Sequence, residues 1–445
     1  MVTTLFAFLF VLGVLIFVHE LGHFMAARRI GVRVQTFSLG FGPKLLKIRR
    51  GDTEYCLSAI PLGGYVKMAG ENPKHALSGA SDEFLSKSKW QRFQVLVMGP
   101  VMNVVLAVLV MAVVLHQGAR VPIFEQQPVV IAAFADGLVA AATGLKLGDR
   151  IVSVDSRQVE TWEQFSNAIA PKARREVTLG IVRDGRRAQI TVTPEARGKY
   201  GIGNIGVQPP ARPQVLGVTK GRPAEEAGLQ DGDVVMAAGG LQDVTYEQLL
   251  AAITSHPQQP LALTIMRGDR PHDITVTPRQ SGDKAMIGAQ FSPFETRTVK
   301  PGAIDAVKLS LAKNWDWTTQ IVQTLGGLFT RETSVSQLMG PVAIANLTGD
   351  AIQLGWIQLF TLMAMVSLNL GLFNLSPIPV LDGGHILILA VEGLARRDFS
   401  RKVKERMVLT GFAFLLMLMA TVIYNDLMRI EWIERLMPWH GDMLG

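Results

Sequence analysis

Residues 5–27 read LFAFLFVLGVLIFVHELGHFMAA, an apolar run broken by His19-Glu20-Leu21-Gly22-His23. A helix needs about 20 apolar residues to cross a bilayer core, and this run is long enough. Positions i and i+4 share a helix face, so both imidazoles reach one metal ion. Glu20 then lies beside the water such an ion would activate, placed to take its proton. Ionisable side chains inside a membrane helix are expensive and mark functional sites. A polar helix packed on another polar helix accounts for that expense less simply than a metal does. The run lacks the basic start and small-residue cleavage site of a signal peptide, so a retained helix is expected.

Three further stretches are long and nearly free of charge: Phe93 to Leu115, Ile357 to Leu375 and Met407 to Tyr424. Transmembrane helices are therefore expected over 1–27, 93–115, 356–377 and 407–425. The third carries Gln358, Asn369 and Asn374, which is polar for a lipid-facing helix. The formal net charge is +7, and its placement says more than its size. Between Arg28 and Arg92 there are 12 Lys and Arg against 5 Asp and Glu. Arg396, Arg397, Arg401, Lys402, Lys404 and Arg406 stand between helices three and four. The positive-inside rule puts both loops, 28–92 and 378–406, in the cytoplasm. The N-terminus, the long middle region and the tail 426–445 then lie outside. Charge set beside membrane helices points to lipid, and no nucleic-acid partner is expected. Cys56 is the single cysteine, which excludes an intrachain disulfide and a cysteine metal cluster.

The middle region, roughly 121–292, repeats itself. Gly144-Leu145-Lys146-Leu147-Gly148-Asp149 aligns with Gly228-Leu229-Gln230-Asp231-Gly232-Asp233 at an offset of 84. The same offset pairs Trp162 with Tyr246, Arg183 with Arg267, and Thr191 to Pro194 with Thr275 to Pro278. So long a period means two tandem domains, 121–208 and 209–292. In each, a Gly-Asp turn leads into a β run (Arg150 to Val154; Val234 to Ala238). A short helix follows (Trp162 to Ala170; Tyr246 to Ser255). A strand pair then brackets a turn at Asp184-Gly185 or Gly268-Asp269. With Pro223-Ala224 and Ala227-Gly228-Leu229 ahead of Gly232-Asp233, the pattern resembles the PDZ domain. The first copy has a degraded approach at Leu138 to Gly144. PDZ domains bind an extended peptide or a C-terminus at a sheet edge. A rigid spacer or gate with an unused groove is the plainer alternative.

From 301 to 355 the pattern is helical and amphipathic, with Trp315, Trp317, Ile321, Leu325 and Leu328. It reads as a segment on the outer membrane surface or as a helical pair packed on the repeats. The loop 28–92 holds Gly-rich, β-branched stretches at Thr36 to Pro43 and Tyr55 to Met68, read as short membrane-associated strands. Gly63-Gly64-Tyr65 would let a substrate backbone come close, or would form an ordinary turn.

A catalytic zinc takes three protein ligands and one open position. No third histidine or glutamate follows HELGH at a familiar spacing. The chain instead reads Asn374-Leu375-Ser376-Pro377-Ile378-Pro379-Val380-Leu381-Asp382-Gly383-Gly384-His385 after the third apolar stretch. Its prolines break a helix inside or at the edge of the membrane, tolerated only in buried or wet surroundings. Asp382 and His385 are both candidate third donors.

HELGH in a first membrane helix, NLSPIPVLDGG after a third, and PDZ-like repeats between them together resemble the site-2 protease family of intramembrane zinc metalloproteases. The paired repeats are similar to its regulator of sigma-E protease type. The likeness extends over Gly40-Phe41-Gly42-Pro43, Pro61 to Tyr65, Gly99-Pro100, Asn103 and Gly340-Pro341, essentially the whole chain. It implies one zinc ion held by His19, His23 and Asp382, with Glu20 as general base. It implies that Asn374 binds substrate or steadies the oxyanion. It also implies single-span membrane substrates, such as an anti-sigma factor, cut after another protease has removed their outer domain. Signal-peptide remnants are a second implied substrate class. The implied location is the bacterial inner membrane, with the PDZ domains periplasmic and the active site near the cytoplasmic face.

The expected fold is thus a multi-domain α-helical membrane protein: about four transmembrane helices with two β-rich PDZ domains inserted between the second and third. Two rivals remain. A membrane-anchored PDZ scaffold with an inactive metal site would not need Glu20. A metal transporter would need a polar route through both leaflets.

Overall fold

The computed structural model describes residues 2–71, 79–135, 143–197, 201–281, 284–330 and 339–428. The approach to the first repeat at 138–142 and most of the tail 426–445 lie outside these residues. The chain divides into two units, one of Met1–Gly118 with Lys300–Gly445, the other of Ala119–Val299.

In the first unit, the opening apolar run forms α1 (Val2–Arg29), whose backbone bonds close within the helix as a bilayer demands. Arg28 and Arg29 stand in its last turn, where cations complement the helix dipole. Gly31 follows with φ +71°, a left-handed conformation that ends helices. The chain turns back as β1 (Val34–Arg50) and β2 (Thr53–Met68). These strands are longer than the sequence suggested, running on through Pro43 to Arg50. Their register is irregular: Phe37 faces Val66 on one side and Tyr55 on the other. Val34, Phe37, Val66 and Met68 share a core with Ala26, Ala27 and Val95, so apolar burial holds the strands against the helices.

α2 (Lys89–Gly118) carries Pro100 within it. It begins before the apolar stretch proper, its first turn holding Lys89 and Arg92.

The second unit contains two β-rich modules. The first has strands in the order 129–130, 150–154, 177–183 and 186–192, with α3 (Trp162–Ile169) beside them. The second orders its strands 270–276, 261–267, 234–238, 214–218 and 289–292, with α4 (Pro223–Glu226) and α5 (Tyr246–Ser255). The repeat of the sequence is a repeat of cores. Leu145, Ile151, Phe165, Ile169, Leu179, Ile181 and Val192 fill the first core. Leu229, Val235, Leu249, Ile253, Leu263, Ile265 and Val276, each 84 positions on, fill the second. Thr161 caps α3 by accepting from the Gln164 N–H, and Thr245 caps α5 from Gln248 in a full capping box. Asp149, with no side-chain exposure, holds Arg183 in a two-bond ion pair at 2.6 Å. Asp233 holds Arg267 the same way at 2.7 Å. In each pair the arginine also donates to a turn carbonyl, Gly144 or Gly228, at 2.8 Å.

Back in the first unit, the 301–355 segment forms α6 (Ala303–Phe329) and α7 (Pro341–Leu354). The Ser310 hydroxyl of α6 donates to the Val108 carbonyl of α2 at 2.7 Å. α6 thus packs on α2, and Ala351 of α7 shares a core with Leu15 of α1. α8 (Trp356–Asn374) stops short of Pro377 and Pro379, and α9 (Asp382–Leu394) begins just after them. α10 (Arg401–Met428) closes the described chain. Its Asp426 accepts the Gly340 and Ala343 N–H groups, satisfying the open N-terminus of α7.

Among the described residues, α1, α2, α8 and α10 contain stretches long and apolar enough to cross a membrane. Leu15 of α1 is fully buried with Met363 of α8 and Ala351 of α7. Replacing such a leucine by alanine costs about 2–5 kcal/mol.

Candidate metal centre

His19 and His23 sit one turn apart on α1, and Asp382 heads α9. The Nε2 atoms of the two histidines are 3.3 Å apart. Asp382 Oδ2 lies 3.3 Å from His19 Nε2 and 3.5 Å from His23 Nε2. These three donors form a nearly equilateral triangle. A tetrahedral zinc with ligands at about 2.0–2.1 Å separates neighbouring donors by about 3.4 Å. The triangle therefore has the dimensions of one face of a zinc site. Both histidines are buried, and their Nε2 atoms converge with Asp382 Oδ2 on one point.

The break after α8 makes this possible. Pro377 and Pro379 prevent a continuous helix, and the chain reverses to bring Asp382 back to the level of HELGH. His385 lies one turn further along α9 and contributes no atom to the converging group. Geometry thus separates the two donors that spacing left open.

Neighbouring helices shape the site. His23 Nδ1 lies 2.8 Å from the Val95 carbonyl, an acceptor that fixes its proton on Nδ1 and frees Nε2. Gly99 of α2 faces the same ring, and a Cβ there would stand 2.3 Å from Nε2. A Cβ on Gly22 would stand 2.3 Å from the Met98 carbonyl oxygen. Two glycines therefore let α1 and α2 approach closely around the donors. The residues present fit a zinc ion.

Glu20 lies between the two histidines on α1, against β2. A Cβ on Gly64 would stand 2.9 Å from Glu20 Cγ, from Ile16 Cγ2 and from the Ser38 carbonyl oxygen. Gly64 is thus needed to seat the strand over Glu20, whatever it does for substrate. Gly63, at φ +123°, abuts the Phe41 ring, which stacks on Tyr65 with centroids 6.1 Å apart. Asn374, the last residue of α8, sets Nδ2 3.5 Å from His19 Nε2, at the rim of the donor triangle. Sequence reasoning gave Val95 no part, because a backbone carbonyl leaves no mark in the residue pattern.

Peptidase family M50 matches the chain over residues 7–418. A regulator of sigma-E protease of Salmonella typhimurium is 32% identical over 95% of this chain and 98% of its own length. A protease of the same name from Haemophilus influenzae is 30% identical, covering 95% and 98%. A Neisseria meningitidis protein provisionally named a zinc metalloprotease is 32% identical, covering 96% and 99%. A Listeria monocytogenes PDZ domain aligns with 20% of the chain at 21% identity and a TM-score of 0.17, too slight to argue from. With its donor triangle, its apolar helices and these relatives, the chain belongs to peptidase family M50, the site-2 proteases, as a membrane zinc metalloprotease similar to the regulators of sigma-E.

Proposed function

We propose that this protease cleaves single-span membrane proteins within the bilayer, after a first protease has trimmed their outer domain. The substrates are of the anti-sigma-factor type, with signal-peptide remnants as a second class, and cleavage switches on an envelope stress response. His19, His23 and Asp382 hold one zinc ion. The observation that carries this reading is the donor triangle of 3.3, 3.3 and 3.5 Å.

Zinc bound there supplies Lewis acidity, which brings a water's pKa near neutral and polarises a peptide carbonyl. Glu20 takes the proton from the attacking water and returns it to the leaving nitrogen. Asn374 directs its amide N–H at the scissile carbonyl and stabilises the charge that develops there. A substrate helix keeps its carbonyls in i→i+4 bonds, so it must unwind before cleavage. Among the described residues, the Gly64–Met68 run of β2 pairs only with β1, which leaves an edge on which unwound substrate can add as a strand. Gly63, Gly64 and Tyr65 stand at the start of that edge.

The basic loops 28–92 and 378–406 face the cytoplasm of a bacterial cell, and the site lies near that face. The 121–292 region then stands in the periplasm. We read its modules as tandem PDZ domains, from the turn motifs repeated at 84 residues and the matching cores. They bind peptide or C-terminal ends, or exclude substrates that still carry a bulky outer domain.

Co-expression of the wild type and Glu20→Gln with a tagged single-span substrate tests the reading. A shortened product with wild type only is expected. Equal product from both chains would refute the assignment of Glu20.

A further inference from the structure

Asn103 of α2 is fully buried and faces the metal centre, yet the proposed reaction makes no use of it. Its amide Nδ2 lies 3.3 Å from His19 Nδ1, and its Oδ1 meets no partner among the described residues. Its backbone is clamped. The Asn103 carbonyl accepts the Ser367 hydroxyl of α8 at 2.8 Å, and a Cβ on Gly371 would stand 3.3 Å from Asn103 Cβ. A buried amide held this firmly has a specific neighbour to serve.

That neighbour dictates the amide's orientation. His19 turns Nε2 toward Asp382 and His23, so the lone pair for a metal must be on Nε2. A neutral imidazole then carries its proton on Nδ1, and Nδ1–H requires an acceptor. An amide nitrogen cannot accept, and two N–H groups would oppose each other across 3.3 Å. Amide oxygen and nitrogen have nearly the same shape, so a half-turn of the amide exchanges them in place. As drawn, the outward Oδ1 meets no donor among the described residues, so nothing described holds the amide in that orientation and the demand of His19 decides. His23 meets the same demand with the Val95 carbonyl, 2.8 Å away. We infer that Asn103 presents its carbonyl oxygen to His19 Nδ1–H and is a positioning residue for zinc. It fixes the tautomer and ring angle of His19, as Val95 does for His23. α2 thus orients both histidine ligands while contributing no ligand itself.

The inference rests on the zinc reading, and its test keeps the two apart. Full-length wild type, Asn103→Leu, Asn103→Asp and His23→Ala are purified in detergent. Each is titrated with zinc against a chelator, and the absorption spectrum of the cobalt-substituted form is recorded. Asn103→Leu keeps the size and removes the acceptor, and a zinc affinity lower by on the order of 10- to 100-fold is expected. Its cobalt spectrum should shift, because His19 is no longer held, a change that loss of packing alone does not produce. Asn103→Asp keeps an acceptor and should bind zinc at least as tightly as wild type. Wild-type affinity in Asn103→Leu, or a tenfold loss in Asn103→Asp, overturns the inference. If Asn103→Leu does not fold, the Asn103→Asp affinity decides alone by the same rule. Wild type without zinc, or His23→Ala with wild-type affinity, overturns the zinc reading beneath it instead.

Discussion

Gly99 and His23 are in such close contact that a single added carbon on the glycine would stand 2.3 Å from the imidazole Nε2. No alanine fits there without displacing the ring from the donor triangle. Gly99→Ala should therefore lower both zinc affinity and cleavage, by on the order of 10²-fold, as expected when a catalytic group shifts by about 1 Å. Chelator competition and the tagged-substrate assay measure the two. Unchanged zinc affinity would show that α1 and α2 pack less closely than described.

Gly64 makes a different demand. A valine there meets Glu20 Cγ, Ile16 Cγ2 and the Ser38 carbonyl together, so β2 must lift away from α1. The three candidate donors, His19, His23 and Asp382, lie outside this contact. Gly64→Val should leave zinc bound at the wild-type level and cut product formation at least tenfold, on the order seen when substrate positioning is lost. Zinc loss in this variant would contradict the separation of strand from ligands.

The first β module predicts an acid-sensitive core. Arg183 beside Asp149, with help from the Lys146 N–H, holds the Asp149 carboxyl below the usual aspartate range. The folded state thus binds the proton less readily than the unfolded chain. The pair contributes its full stability above the unfolded value of about 3.9, and the contribution falls as pH drops through the lower folded value. Hydrogen exchange of the Val177–Arg183 strand should be flat with pH from neutral to about 4, once intrinsic rates are removed, and should quicken below it. Asp149→Asn should quicken exchange already at neutral pH and remove most of the dependence below 4. A wild-type acid response in that variant would place the sensitivity elsewhere.

If the repeats act as a size filter, deletion of 121–292 should allow cleavage of a substrate that retains its outer domain, while a pre-trimmed one is cut as before. Selectivity unchanged by the deletion would leave the modules without that role.

The sequence showed some of this directly and hid the rest for physical reasons. His19 and His23 were readable because four residues is one helical turn, a property of the helix alone. Asp382 and His385 could not be separated by spacing, since both follow the prolines and only the reversal after α8 decides which one returns to α1. The β repeats were readable at 84 residues because their turns recur, and the matching cores lie between those turns. Gly64 reads from the sequence as room for substrate or as an ordinary turn, and its close packing on Glu20 and Ile16 of α1 is a contact between distant segments that no local pattern shows. Val95 left no trace because its contribution is a backbone carbonyl. Asn103 stood in the family pattern without a role, because its meaning depends on a partner 84 positions away on another helix.

The central expectation is one ion shared by the opening helix and the segment beyond the proline break. The direct test is the zinc content per chain of purified wild type and Asp382→Ala, counted by native mass spectrometry after dialysis against a weak chelator. One zinc in the wild type and none in the variant is predicted. A variant that keeps its zinc, or an active wild type that carries none, would contradict the account.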